Sequence, residues 1–141
     1  MIEFAVWGTP VPQGSKRVFG GNVVEVADAR LRSWRQDVAA QASAAMHGHS
    51  PFSEPVEIRL TFHFSRPKGH FGTGRNQDRL KPSAPIAPGV KPDLDKLVRS
   101  VLDALTGVVF RDDAQVVWLT ARKCYALMPG LGGLEAVVNP L

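Results

Sequence analysis

The chain holds one cysteine, Cys124, so no disulfide can form within it, which fits a reducing compartment. It has no apolar run near the roughly 18 residues of a membrane-spanning helix. Its amino terminus carries Glu3 where a signal peptide would have a long apolar segment. The G-x-x-x-x-G-K-[ST] loop of P-loop nucleotide enzymes is also missing, which disfavours that class. We therefore expect a soluble cytoplasmic protein, bacterial or phage-encoded, with no membrane span.

The composition favours one globular domain with an anionic partner. The 141 residues suit a single domain over 1–141, and 44% hydrophobic residues are enough for one core. Lys and Arg number 17 against 13 Asp and Glu, a net charge of +4. This balance favours a partner such as nucleic acid, although many small proteins are basic without binding one.

Hydrophobic periodicity predicts an α+β fold. Strict alternation over 56–64 indicates a strand with one buried face, and spacing of three and four residues indicates helices over about 30–47 and 93–105. Further strands are expected over 2–7, 116–126 and 134–138, with a possible short one near 23–26. We predict a mixed or antiparallel sheet of four to five strands with two main helices. Trp7, Trp34 and Trp118 are expected in the core.

Residues 66–92, which we name the basic loop, differ in kind from the rest. The loop contains five prolines and four glycines, which exclude a long helix or strand, and six cations against one acid. We expect it to be mobile. Two interpretations stay open, a solvated insertion and an arm that neutralises phosphates.

Two pairs of aspartates flank the second predicted helix. Asp93 and Asp95 open it, and Asp112 and Asp113 follow it. Each pair has a structural explanation, because aspartates cap helices and shape tight turns. Carboxylate oxygens are also the ligands that Mg²⁺ prefers, and a basic background suits phosphate held against such an ion. His47 and His49 lack further ligands at zinc-finger spacing, which disfavours zinc.

The helix and the two flanking pairs together resemble a known signature. The matching segments read Pro92-Asp93-Leu94-Asp95-Lys96-Leu97-Val98-Arg99, then Leu102-Asp103-Ala104-Leu105, then Phe110-Arg111-Asp112-Asp113-Ala114-Gln115-Val116. They resemble the D-x-D-N-L-x-K, D-A-L and aromatic-D-D-Q-V pattern of the RusA-type Holliday junction resolvases. The segment Gly8-Thr9-Pro10-Val11-Pro12 is similar to the early loop of phage members.

The resemblance implies a Mg²⁺-dependent endonuclease, with Mn²⁺ as a possible substitute, that acts as a homodimer on branched DNA. It implies resolution of four-way junctions by paired symmetric nicks that leave 5′-phosphates. The implied metal ligands are Asp93, Asp95 and Asp113, which requires the two ends of the helix region to meet at one ion. Asp112 is expected to support this site, and Asp103 to form a salt bridge with Arg99 or Lys96.

Two positions depart from the family pattern. Lys96 replaces its asparagine and Arg99 replaces its catalytic lysine, so either cation is a candidate for the catalytic role. Arginine holds phosphate but does not release a proton at ordinary pH. A catalytically impaired nucleic-acid-binding module and another Mg²⁺ phosphotransfer or phosphatase enzyme stay open as alternatives.

Ten basic residues are candidates for DNA contact, because cations that meet phosphates dominate such interfaces. They are Lys16, Arg17, Arg66, Lys68, His70, Arg75, Arg79, Lys81, Lys91 and Lys123.

Overall fold

The computed structural model describes residues 1–14, 16–20, 22–25 and 29–141, and only the backbone of residues 16–19 and 22–25. The described part confirms the α+β expectation. Its elements are β1 (Ile2–Trp7), β2 (Lys16–Phe19), β3 (Asn22–Glu25), α1 (Ala29–Ala45), β4 (Val56–Phe64), α2 (Leu94–Leu105), β5 (Val116–Tyr125) and β6 (Gly133–Pro140).

Four of the strands form a mixed sheet in the order β1-β6-β4-β5. Strand β6 runs antiparallel to both β1 and β4, whereas β4 and β5 are parallel. Parallel neighbours need a crossover connection, and here the basic loop and α2 supply it. Strand β5 therefore lies at one edge of the sheet and β1 at the other. Strands β2 and β3 form a separate antiparallel hairpin.

The core lies between one face of the sheet and the two helices. Ile58, Leu60 and Phe62 of β4 are fully buried or nearly so, as their alternation predicts. Leu97 and Val101 of α2 are fully buried against the same cluster. Burial of side chains this size contributes about 1.5–3 kcal/mol each. This packing fixes α2 across the sheet.

The chain beyond α2 is anchored as firmly as the helix itself. Gly107 has a φ of 84°, a conformation that favours glycine at a helix end. Its N–H donates to the Phe110 carbonyl at 2.7 Å. Val109 and Phe110 are fully buried. The aspartates at 112 and 113 therefore start from a fixed point at the carboxyl end of α2.

The prediction that three tryptophans lie in the core is right for one of them. Trp34 is 4% exposed, but Trp7 is 63% and Trp118 is 61% exposed. Trp7 ends β1 and Trp118 lies on β5, so both belong to edge strands. Residue type alone does not distinguish an edge strand from a central one. Among the described residues, no helix has both the length and the apolar character needed to cross a bilayer.

Candidate metal and nucleic-acid site

Asp93 is the N-cap residue of α2, but its side chain does not cap the helix. Its carbonyl accepts the Leu97 N–H at 3.2 Å, as an N-cap carbonyl does. Its carboxylate makes no hydrogen bond to the backbone of the helix. Instead Lys91 Nζ lies 3.3 Å from Oδ1, and Lys96 Nζ lies 3.5 Å from Oδ2. The capping explanation is therefore wrong for this side chain, which faces cations.

The two lysines keep Asp93 ionised. The hydrogen bond and charge of Lys91 lower the pKa of Asp93 below its ordinary value, and Lys96 adds to the effect. Because the pKa is lowered, the carboxylate stays negative as the pH falls below the range where an ordinary aspartate protonates. A carboxylate that stays charged to lower pH than an ordinary aspartate is suited to a divalent cation.

Asp95 and Arg99 lie on the exposed side of α2, one turn apart. Within the described part of the chain, neither side chain has a hydrogen bond or an ion pair. In the described part of the chain Asp95 therefore has no side-chain partner, and its one structural advantage is a negative charge in the first turn of α2, which suits the helix dipole. Of the two candidate cations, Lys96 contacts a predicted ligand and Arg99 is open to solvent.

The two aspartates of the second pair differ in their contacts, because the side chain of only one of them forms a hydrogen bond in the described part of the chain. Asp112 Oδ1 accepts the Ala114 N–H at 2.8 Å and caps a short 3₁₀ turn over Asp113–Gln115. Gln115 closes the capping box, since its Oε1 accepts the Asp112 N–H at 3.0 Å. Asp113 is exposed and has no side-chain partner among the described residues. The turn explanation therefore holds for Asp112 and leaves Asp113 available.

Gln115 also ties this turn to the start of β4. Its Nε2 donates to the carbonyls of Phe52 and Glu54, each at 2.9 Å. Sequence reasoning assigned Gln115 no role, although it is part of the signature. The spacing of Asp112 and Gln115 was a sequence signal for the capping box, whereas the bonds to Phe52 and Glu54, 63 and 61 residues away, have no local signal.

Replacing Asp112 with alanine is expected to lower the free energy of unfolding by about 1 kcal/mol, because the capping bond is lost. Urea unfolding measures the change, and Asp113→Ala is the matched control with an expected change near zero. Equal losses in the two variants would contradict the division of roles.

Asp103 differs from its prediction. It accepts a hydrogen bond from Gln13 Nε2 at 2.6 Å, and in the described part of the chain it forms no ion pair with Arg99 or Lys96. Gln13 is buried, and its N–H donates to the Lys96 carbonyl at 3.0 Å. Ser100 Oγ donates to the Val11 carbonyl at 2.9 Å. Asp103 therefore fastens the loop of residues 8–14 to α2, a partner 90 residues away in sequence that helix spacing does not reveal.

The two ends of α2 hold the two groups of open carboxylates apart. A rise of about 1.5 Å per residue makes this 12-residue helix about 18 Å long. Asp93 and Asp95 lie at its start, whereas Asp113 follows the anchored segment at its end. Consistently, the described residues contain no group of three His, Cys, Asp or Glu side chains that could hold one metal ion. A single chain does not bring the three predicted ligands together.

Lys123 links the far end of β5 to the start of α2. Its Nζ donates to the carbonyls of Val90 at 2.7 Å and Pro92 at 2.8 Å. Its ammonium is thus used within the protein, and its contact with DNA stays a prediction. The two bonds place Asp93 beside residue 123 of β5.

The basic loop has hydrogen bonds of its own. Phe71 and Leu80 form an antiparallel bridge. Two backbone hydrogen bonds of 2.9 Å flank it, because the Gly72 N–H donates to the Arg79 carbonyl and the Lys81 N–H donates to the His70 carbonyl. The loop therefore doubles back on itself and presents its cations outward. Four of them are exposed without an ion pair inside the described part, namely Lys68, Arg75, Arg79 and Lys81.

Two further loop residues pack against the end of β5. Arg66 Nη1 donates to the Pro85 carbonyl at 2.7 Å, and its Cζ lies 4.3 Å from the centre of the Tyr125 ring. His70 meets the same ring edge-on at 5.3 Å. The side chains of Lys16 and Arg17 lie outside the described residues, so their predicted DNA contact stays a prediction.

Comparison with known proteins yields a family and a relative. The sequence pattern of the family described as "Endodeoxyribonuclease RusA" matches residues 8–132. The chain is also similar to the protein described as "Uncharacterized protein YqaN" from Bacillus subtilis (strain 168). The two are 32% identical over 133 residues, which cover 91% of this chain and 90% of the relative. The family match includes the loop of residues 8–14, α2 and all four flanking aspartates.

Proposed function

Because the chain belongs to the RusA endodeoxyribonuclease family, we propose that it resolves four-way DNA junctions by paired, Mg²⁺-dependent nicks. One observation carries this proposal. Among the four flanking aspartates, Asp112 has a structural bond, whereas Asp95 and Asp113 are exposed carboxylates without a partner in the described part of the chain. Unpaired acids in a chain of net charge +4 are best explained by a cation that they bind.

The donor set fits a hard divalent ion. Asp93 and Asp95 supply carboxylate oxygens at one helix start, and the lowered pKa keeps Asp93 charged. When bound, Mg²⁺ would activate a water and stabilise charge on the phosphodiester. Arg99, exposed one turn beyond Asp95, is placed to hold a phosphate oxygen but not to carry a proton. Its role is therefore to orient the scissile strand.

A shared ion requires a second copy of the chain. Asp113 follows the far end of α2, and the described residues contain no group of three such ligands, so Asp113 does not complete a site with Asp93 and Asp95 of its own chain. The proposed homodimer solves this problem if the Asp113 of one copy meets Asp93 and Asp95 of the other. A two-fold dimer then carries two equivalent sites, which suits paired nicks in a symmetric junction.

The free edge of β5 is the surface we assign to this dimer. Among the described strands β5 pairs only with β4, so its outer edge offers unpaired backbone groups. Val117, Trp118 and Leu119 are exposed there by 62%, 61% and 42%. Apolar side chains of this size on an open strand edge are typical of a buried interface.

The register of such a pairing supports the shared site. If two β5 strands pair antiparallel about a two-fold axis at Trp118, Val116 of one copy lies opposite Thr120 of the other, and the turn that carries Asp113 continues toward Lys123 of that copy. Lys123 holds the Pro92 carbonyl at 2.8 Å, directly before Asp93. The same symmetric contact would cover the exposed tryptophan and direct the Asp113 turn toward the opposite helix start.

Replacing Trp118 with arginine is expected to weaken dimerisation by about 30-fold or more, since a central aromatic anchor is lost. Sedimentation equilibrium measures the change. Trp7→Arg is the matched control, because Trp7 is equally exposed but lies on the opposite edge strand. A Trp118→Arg protein that dimerises like wild type would refute the assignment of this edge.

A junction-binding module without catalysis is the second candidate, and one observation favours it. Lys91 and Lys96 both contact Asp93, where a metal ion would otherwise compete. Incubation with a synthetic four-way junction and Mg²⁺ separates the candidates. Symmetric nicks with 5′-phosphate ends support the nuclease, whereas binding without nicks at any Mg²⁺ or Mn²⁺ concentration supports the binding module.

A further inference from the structure

A cavity of about 730 Å³ lies between the basic loop and the end of β5. This volume is in the range typical of small-ligand sites, about 300–1,000 Å³. Its lining joins two segments that are far apart in sequence. The residues that matter here are Arg66, Lys68, Phe71, Gln77, Asp78 and Tyr125.

The cavity wall contains flat surfaces that are held in place. Arg66 lies 4.3 Å over the Tyr125 ring, and its Nη1 bond to the Pro85 carbonyl fixes the guanidinium plane. Phe71 is half-buried, and its backbone is bridged to Leu80. Nucleic-acid bases stack on aromatic rings and guanidinium planes of this kind.

The polar groups of the lining select the class of ligand. Arg66 and Lys68 attract an anion, whereas the Asp78 carboxylate repels one and only accepts hydrogen bonds. The Asp78 carboxylate would repel a bare phosphate. A hydrocarbon would bury the charges of Arg66, Lys68 and Asp78 without a partner. A nucleotide satisfies both groups, because its phosphate suits the cations and the amino edge of its base suits Asp78 and Gln77.

The cavity also lies next to the predicted site of cleavage. Tyr125 and Lys123 are two residues apart on β5, so their side chains share a face about 7 Å apart. Lys123 bonds to the carbonyl directly before Asp93. A DNA strand bound at Asp93 would therefore lie close to this cavity.

We infer that this cavity receives one unpaired base of the branched DNA, stacked on Phe71 with an amino-bearing edge toward Asp78. The inference rests on the proposed function, because a branched DNA substrate would supply the unpaired base. Bases at a branch point cost least to displace, because their stacking is already interrupted. The cavity would then set the position and the sequence preference of the cut.

The test compares an intact junction with junctions that lack one base at each position around the crossover. Binding is measured without divalent metal, so no strand is cut. Wild-type protein is expected to bind one abasic junction about tenfold more weakly than the intact one, because a stacked base is lost. The Phe71→Ala variant should bind the intact junction and this abasic junction with equal affinity.

Two more variants keep the test independent of folding. Asp78→Asn alters an exposed side chain at constant size, and it should change which base is preferred without changing the thermal midpoint. Ile86→Ala is the matched control, since Ile86 is 93% exposed in the same basic loop but does not line the cavity. It should retain the wild-type difference between intact and abasic junctions.

The outcomes separate this inference from the proposed function. Equal binding of every abasic junction by wild-type protein would overturn the base site, even if nicking is normal. A base-dependent affinity that Phe71→Ala removes would support the base site, even if no nicking is found.

Discussion

Asp95→Asn is expected to reduce Mg²⁺-dependent nicking of a four-way junction by about 10³-fold, because one charged metal ligand becomes a neutral amide. Asp95 is exposed and bonds to no other described side chain, so the fold should be unaffected. Nicking is followed with end-labelled junctions on denaturing gels under single-turnover conditions. The thermal midpoint and the junction affinity should stay close to wild type.

The control for Asp95→Asn is another exposed helix aspartate. Asp37→Asn removes one exposed negative charge from α1, which supplies none of the predicted metal ligands, and should leave the nicking rate within about twofold. It tests whether net charge alone affects the rate. Undiminished nicking by Asp95→Asn would end the nuclease assignment of this site.

Co-expression of Asp95→Asn and Asp113→Asn chains is expected to restore nicking that neither variant has alone. In a mixed dimer one site carries both changes, and the other is intact if Asp113 comes from the partner. Random pairing makes half of the dimers mixed, so about a quarter of all sites should be active. Each mixed dimer has one active site and should nick one strand without resolving the junction.

The matched control co-expresses one chain that carries Asp93→Asn with another chain that carries Asp95→Asn. Both changes lie on the same side of the shared site, so every site in a mixed dimer is damaged and activity should stay absent. Nicking and junction resolution are measured with differently labelled strands of one junction. Restoration in neither combination would show that Asp113 does not act across the dimer.

The sequence predicted the elements well, because local patterns decide them. The alternation over Val56–Phe64 and the apolar stripe of α2 were both confirmed within a residue or two at their ends. Position relative to the sheet edges was not predictable from these patterns. Tryptophan is a residue type expected in a core, and the exposure of Trp118 becomes clear only from the place of β5 at the edge of the sheet.

The site was predicted in its parts and not in its arrangement. Asp93 and Asp113 were expected as metal ligands with Asp112 in support, and each pair also had a capping or turn explanation. The structure gives a cap bond to Asp112 and none to the Asp93 side chain, and among the described residues Asp113 has no side-chain partner. Asp103 was expected to pair within its helix, but it bonds to Gln13. Such bonds connect distant segments, and helix periodicity carries no information about them.

The sequence by itself determined which chemical groups are present, namely hard carboxylate ligands in a basic chain. The order of its signature residues also determined the family. Only the tertiary structure decided which carboxylates are open and how far apart they lie. The reason is physical, since a helix of fixed rise sets its two ends apart, while the strand order leaves the outer edge of β5 without a partner among the described strands.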